Sequence, residues 1–77
     1  MRRMRTIEHI RKNVFRVSQA DFGAIAGTTQ ASVSRWEKGE LEPRRSEMDK
    51  IRSEAISRGL EWNDRLFFET PTTPEAA

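Results

Sequence analysis

The chain has 77 residues, a formal net charge of +2 and no cysteine, and its length fits one small domain. The lack of cysteine excludes disulfide frameworks, thiolate zinc sites and cysteine nucleophiles, and a single histidine, His9, cannot form a histidine metal site. No apolar run approaches the ~20 residues that cross a bilayer, and the N-terminus has no signal-peptide pattern. We therefore expect a cytoplasmic protein with no metal and no cofactor.

Charge is unevenly distributed along the chain. Residues 1–16 hold six basic side chains and one acidic one, whereas residues 60–77 hold one basic side chain and four acidic ones. This asymmetry is typical of a molecule with one face for a polyanion, although charged termini also serve simply to stay solvated.

The hydrophobic pattern predicts five helices and no strand between a flexible arm, residues 1–5, and a disordered tail, residues 70–77. The first helix is expected over residues 7–15, after a Thr6 cap, because apolar side chains recur there at three- and four-residue spacing. Those side chains are Ile7, Ile10 and Val14.

The second and third helices are short and follow each other closely. Ser18 and Asp21 form a capping-box pattern that starts a helix over 19–26, and Gly27 ends it. Thr29 is expected to cap the next helix, over 30–37, which Gly39 ends.

Two further helices are predicted towards the C-terminus. One runs from about residue 46 to 58, with Gly59 as its stop. The fifth covers residues 60–69, with Trp62, Leu66 and one of Phe67 or Phe68 facing inward.

Two short helices joined by a turn of about three residues are typical of a helix-turn-helix. Gly23 is a small residue where the second helix must approach the third closely, and Gly27 supplies the turn. The apolar positions that hold the two helices together are Phe22, Ala26, Val33 and Trp36.

These features resemble the Cro/cI-type (XRE) helix-turn-helix family of DNA-binding domains. The similarity covers residues 6–69 and is most specific at SQA (18–20), GTTQ (27–30) and VSRWEKG (33–39). The resemblance implies a compact all-α bundle of five helices, lambda-repressor-like, whose third helix enters the major groove of DNA.

The resemblance also implies roles for individual residues. Glu37 matches the acidic residue that pairs with a basic group on the first helix, here either Arg11 or Lys12. Base-contacting positions fall on Thr29, Gln30, Ala31, Ser34 and Arg35, and backbone-contacting positions on Gln19, Ser32 and Lys38.

The chemistry of three of these side chains supports the base-contacting roles. The amide of Gln30 suits adenine, the guanidinium of Arg35 suits guanine, and Ala31 can lie against a thymine methyl. The alternative for Gln30 and Arg35 is an ordinary solvated side chain, and Thr29 could be only a helix cap. Trp36 is expected in the core rather than stacked on a base.

One position departs from the family pattern. Arg45 stands where many relatives have an apolar residue after the proline, which leaves the start of the fourth helix open. The departure favours Arg44 and Arg45 as a further pair of contacts to the DNA backbone. The larger C-terminal domain of full phage repressors has no counterpart here, so self-cleavage and ligand sensing are not implied.

Dimerisation is expected because one such domain contacts only a few base pairs, and dimers bind two half-sites one helical turn apart. Neighbouring phenylalanines on a helix cannot both face one core, so one of them is left for a partner to cover. The predicted homodimer surface lies within residues 60–69 and consists of Trp62, Leu66, Phe67 and Phe68.

The sequence thus predicts a sequence-specific regulator of transcription, of bacterial or phage origin, acting as a homodimeric repressor on an inverted-repeat operator. The alternative is an antitoxin or other protein-interaction module with DNA binding secondary. An enzyme is not expected, because the chain has no recognisable carboxylate pair, phosphate-binding glycine loop or nucleophile with a base.

Overall fold

The computed structural model describes residues 6–68, and these residues form helices and connecting loops with no strand. Helix α1 (Thr6–His9) continues without a break as a π-helix (Ile10–Phe15). Helices α2 (Gln19–Ala26), α3 (Gln30–Lys38) and α4 (Arg45–Ser57) follow, and a 3-10 helix (Asp64–Phe67) comes last. The predicted arm (1–5) and tail (70–77) lie outside the described residues, as does residue 69.

The first helical segment differs from a regular α-helix. Thr6 lies inside α1 instead of preceding it, and from Ile10 the backbone follows the wider π-helical pattern. This segment ends at Arg16, whose left-handed conformation (φ 59°, ψ 49°) makes it the one non-glycine residue with positive φ among residues 6–68. The backbone N–H of Val17 then donates to the carbonyl of Arg11 at 3.2 Å and closes the end of the helix.

Helices α2 and α3 are capped in the same way at their N-termini. The hydroxyl of Ser18 accepts a hydrogen bond from the backbone N–H of Asp21 at 3.1 Å, and that of Thr29 accepts one from Ser32 at 3.1 Å. Each bond satisfies a backbone donor that the first turn of a helix leaves free. Both predicted caps are confirmed, and Gly27 ends α2 in the left-handed conformation (φ 77°) as expected.

The close approach of α2 to the turn before α3 depends on Gly23. A Cβ atom at this position would lie 3.0 Å from the carbonyl carbon of Thr29 and 3.1 Å from the carbonyl oxygen of Thr28. These are backbone atoms, which cannot move aside as a flexible side chain would, so only glycine lets the two helices meet at this distance.

The core lies where the first helical segment, α2, α3 and α4 converge. Phe22, Val33 and Ile51 are fully buried, and Phe15 meets Phe22 edge to face with ring centroids 5.6 Å apart. Trp36 is only 3% exposed, which confirms its predicted place in the core. The remaining buried apolar side chains are Ile7, Ile10, Ala26 and Ala55.

Helix α4 starts at Arg45 in spite of the departure from the family pattern. Glu47 holds this start, because its carboxylate accepts a hydrogen bond from the backbone N–H of Arg44 at 2.6 Å. The helix ends at Ser57, one residue before the predicted boundary, and Gly59 follows with φ 72°.

The prediction of a fifth α-helix is not confirmed, since the described residues hold four α-helices and only one 3-10 turn follows α4. Asn63 starts this turn by accepting a hydrogen bond from the backbone N–H of Arg65 at 2.9 Å, and the Trp62 indole N–H donates to Asp64 at 2.8 Å. Short polar side chains that bond locally offer the backbone an alternative to a longer helix. The all-α class and the helix-turn-helix are as predicted.

Candidate nucleic-acid interface

Helix α3 has two unlike sides. Val33 and Trp36 are buried and attach the helix to the core. The opposite side is exposed at Gln30, Ala31 and Arg35, with Thr29 exposed just before the helix. Ser32 and Ser34 are half-buried at its edges, and Lys38 is exposed at the last residue of the helix. The predicted base-contacting residues therefore lie along the first two turns of α3, on its exposed side or at the edge of that side.

The first turn of α3 is fixed by its cap. Thr29 accepts the hydrogen bond from the Ser32 backbone, and its hydroxyl also donates to the Ser32 hydroxyl at 3.2 Å. Because both hydroxyls take part in this arrangement, the cap sets the position of the exposed side chains that follow it.

A largely buried ion pair holds the C-terminal half of α3. Glu37 accepts hydrogen bonds from Arg11 Nε at 2.5 Å and from Arg11 Nη2 at 3.1 Å, and Arg11 Nη1 donates to the Val17 carbonyl at 3.1 Å. The hydrogen bond to Glu37 raises the pKa of Arg11 above its ordinary value, against the lowering effect of burial. Of the two predicted partners of Glu37 the structure thus selects Arg11, whereas Lys12 pairs with Glu8 at 2.9 Å.

Gln19 connects this ion pair to the exposed side of α3. Its amide nitrogen donates to Glu37 at 3.0 Å, and its carbonyl accepts from the Gln30 amide at 3.5 Å, a long contact. The orientation of both amides follows from these partners. A chain of polar contacts thus runs from Arg11 to Gln30, and one amide N–H of Gln19 stays available for another acceptor.

Sequence reasoning did not find this chain of contacts. It placed Gln19 and Gln30 separately, each at the first position of its helix. The signal that could have joined them is that both glutamines directly follow a capping hydroxyl residue in helices that pack at a close turn.

The basic side chains beside this surface differ in their polar contacts. A shallow polar recess between the π-helix, α2 and α3 is lined by Lys12, Gln19 and Lys38, among others. Lys12 forms an ion pair with Glu8, but the Lys38 side chain makes no hydrogen bond or ion pair with any residue of the described range. Arg44 and Arg45 are exposed at the start of α4, in a separate element from the other predicted contacts. Sequence reasoning gave Lys12 no place in this recess.

The predicted dimer surface divides into two parts. Trp62, Leu66 and Phe67 pack partly buried against the chain's own core, and Trp62 meets Phe67 edge to face at 5.1 Å. Phe68 is 75% exposed, so Phe67 is the one of the two phenylalanines that faces inward. Ile56 on α4, which sequence reasoning did not select, is also exposed at 58%.

Within residues 6–68 no three acidic or histidine side chains group closely enough to hold a metal ion. No helix in the same range is long and apolar enough to span a membrane.

Two capped helices at a glycine turn, the second with its polar side free, define a helix-turn-helix DNA-binding domain. A family model described as helix-turn-helix matches residues 15–53, half of the chain, and the chain belongs to this family, of the XRE type. The family consists of DNA-binding regulators of transcription and is generally not enzymatic. No curated protein and no solved structure matches the chain.

Proposed function

We propose that the protein is a homodimeric repressor that binds an inverted-repeat operator through α3. The observation that carries this proposal is the exposed polar side of a helix whose other side is fixed in the core by Val33 and Trp36. The major groove of DNA admits an α-helix, and its base edges offer donors and acceptors to such a side.

Two side chains would select bases by hydrogen bonding. The Arg35 side chain is exposed and makes no hydrogen bond or ion pair with any described residue, so its planar fork is free for the two acceptors of a guanine. The side-chain nitrogen of Gln30 donates to Gln19, which orients the amide. Its second N–H and its carbonyl oxygen remain for an adenine. Each bidentate pair contributes about 1–3 kcal/mol of discrimination between bases.

The remaining members of the interface would contact the DNA backbone and set the register of α3. Gln19 has a free amide N–H at the N-terminus of α2, where the helix dipole favours a phosphate. Lys38 adds a positive charge at the C-terminal end of α3. The other proposed backbone contacts are Ser32, Arg44 and Arg45, and Thr29, Ala31 and Ser34 complete the base-contacting set.

Dimerisation would give the protein a second half-site, about 34–36 Å from the first. The exposed Phe68 supports a contact between two copies near the C-terminal end of the described residues. Sedimentation at micromolar concentration tests this part: a dimer, free or on DNA, is expected, and a monomer under both conditions would rule it out.

The proposal also includes a location: the protein acts on bacterial or phage DNA in the cytoplasm of a bacterial cell. The experiment that tests the function is a binding selection on random duplex DNA. We expect an enriched inverted repeat with guanine at a fixed position in each half-site. Recovery of no enriched motif would overturn the proposal in favour of a protein-interaction role, such as that of an antitoxin.

A further inference from the structure

Ala31 and Arg35 are neighbours on the free side of α3. They are four residues apart in a continuous helix, so their side chains lie on the same face, one turn from each other. Both are exposed, and the Arg35 side chain makes no hydrogen bond or ion pair with any described residue. The face therefore presents a methyl group beside a free guanidinium.

The methyl group of Ala31 stands among polar side chains in the first turn of α3. The hydroxyl groups of Thr29 and Ser32 are engaged with each other and with the helix cap. The Gln30 side-chain nitrogen donates to Gln19, and its remaining groups are those proposed for an adenine. Ala31 is the one residue of this turn whose side chain is a methyl group alone.

In the major groove, the methyl group on C5 distinguishes thymine from cytosine by an apolar contact. A 5-methylcytosine carries the same group at the same place, whereas uracil and cytosine lack it. Four helical residues span about 6 Å, and in another major-groove motif residues three apart contact successive bases. The spacing of Ala31 and Arg35 therefore fits two neighbouring base pairs.

We propose that Ala31 and Arg35 together select a C5-methylated pyrimidine in the base pair next to the guanine that Arg35 contacts. Thymine and 5-methylcytosine are accepted at that position, and uracil and unmethylated cytosine are disfavoured. Binding to a site with cytosine there consequently rises when the cytosine is methylated. This inference rests on the proposed function, because it requires α3 to lie in the major groove.

The test uses synthetic duplexes that carry the half-sites recovered by the binding selection. Each thymine is replaced singly by uracil, and each cytosine singly by 5-methylcytosine. Contact with one buried methyl group corresponds to about a fourfold change in the dissociation constant. We expect a loss of about fourfold on uracil substitution, or a gain of similar size on cytosine methylation, in the base pair next to the guanine.

A matched pair of variants assigns the effect to Ala31. Ala31→Gly removes the methyl group and is expected to abolish the difference between methylated and unmethylated duplexes. Ala20→Gly makes the same change at the second residue of α2, also exposed, and is expected to keep the difference. Circular dichroism confirms that both variants remain helical.

Two results would overturn the inference. One is equal binding of the wild-type protein to methylated and unmethylated duplexes at every position next to the guanine. The other is a methyl effect of undiminished size in Ala31→Gly. Either result, obtained on a motif that the selection enriched, overturns this inference but leaves the proposed function intact. If the selection enriches no motif, the proposed function itself is wrong.

Discussion

Helices α2 and α3 start from almost the same local design and serve different purposes. Each follows a capping hydroxyl, Ser18 or Thr29, and each begins with glutamine and alanine. Each also ends at a glycine in the left-handed conformation. Local sequence explains why both are helices, but it does not explain why α3 and not α2 is the proposed recognition helix.

The difference between them lies in the side chains that each helix leaves exposed. Helix α2 buries Phe22, Gly23 and Ala26 against its neighbours, and its exposed positions carry alanine and aspartate but no basic side chain. Helix α3 buries Val33, Trp36 and Glu37 but keeps the whole opposite side exposed. The comparison shows that the kind of side chain left exposed, and not the cap or the first residues, distinguishes the two helices.

The largest expected effect comes from breaking the connection that fixes α3. Glu37→Gln removes the carboxylate that holds Arg11 and leaves a largely buried guanidinium without its counter-charge. Removing one partner of a buried pair costs about 3–5 kcal/mol, and we expect a loss near the lower limit because Gln keeps an acceptor. The loss is measured as a decrease in the free energy of unfolding in urea.

An exposed pair provides the control for this variant. Glu54 and Arg58 interact at 2.7 Å, each side chain 41% exposed, so Glu54→Gln is expected to cost less than 1 kcal/mol. Equal losses in the two variants would show that Glu37 does not anchor α3.

The next effect concerns the contact between the two helices. Gly23→Ala places a methyl group 3.0 Å from the backbone of Thr29, so α2 and the turn must separate. Overpacking of this kind costs about 1–3 kcal/mol, measured as a decrease in the free energy of unfolding. Ala24→Ser changes the next residue of α2, which is exposed, and should be nearly neutral. An unchanged stability in Gly23→Ala would refute the close approach.

The smallest expected effect is a gain in stability. The π-helix ends at Arg16 with φ 59°, whereas α2 ends at glycine in a similar conformation. Arg16→Gly relieves about 1–2 kcal/mol of backbone strain, offset by the greater freedom of glycine in the unfolded chain, so we expect a net gain of about 0.5–1 kcal/mol. An increase in the urea midpoint confirms it, and a decrease would show that the Arg16 side chain contributes more than its conformation costs.

Local signals in the sequence were sufficient for α2 and α3. The range 19–26 was predicted as observed, and α3 extends one residue beyond its prediction, because hydroxyl caps and glycine stops determine helix ends directly. The C-terminal segment differs from its prediction, since Asn63 accepts a hydrogen bond from the Arg65 backbone and starts a short 3-10 turn where the apolar spacing alone would favour a longer helix.

The details of the candidate site depended on tertiary contacts. The sequence left Arg11 and Lys12 as alternative partners for Glu37, because the choice depends on how the first helical segment packs against α3. The coupling of Gln19 to Gln30 likewise arises only where α2 and α3 meet.

The proposed selection of bases by the exposed side of α3 can be measured on the operator itself. Affinities of Arg35→Ala and Lys38→Ala are compared with the wild type on the selected operator and on its single-base variants, over a range of salt concentrations. Arg35→Ala should relax selection at one guanine in each half-site, a loss of about 1–3 kcal/mol there. Lys38→Ala should weaken all sequences alike and reduce the salt dependence by about one ion. Unchanged base preference in Arg35→Ala would contradict the proposed selection.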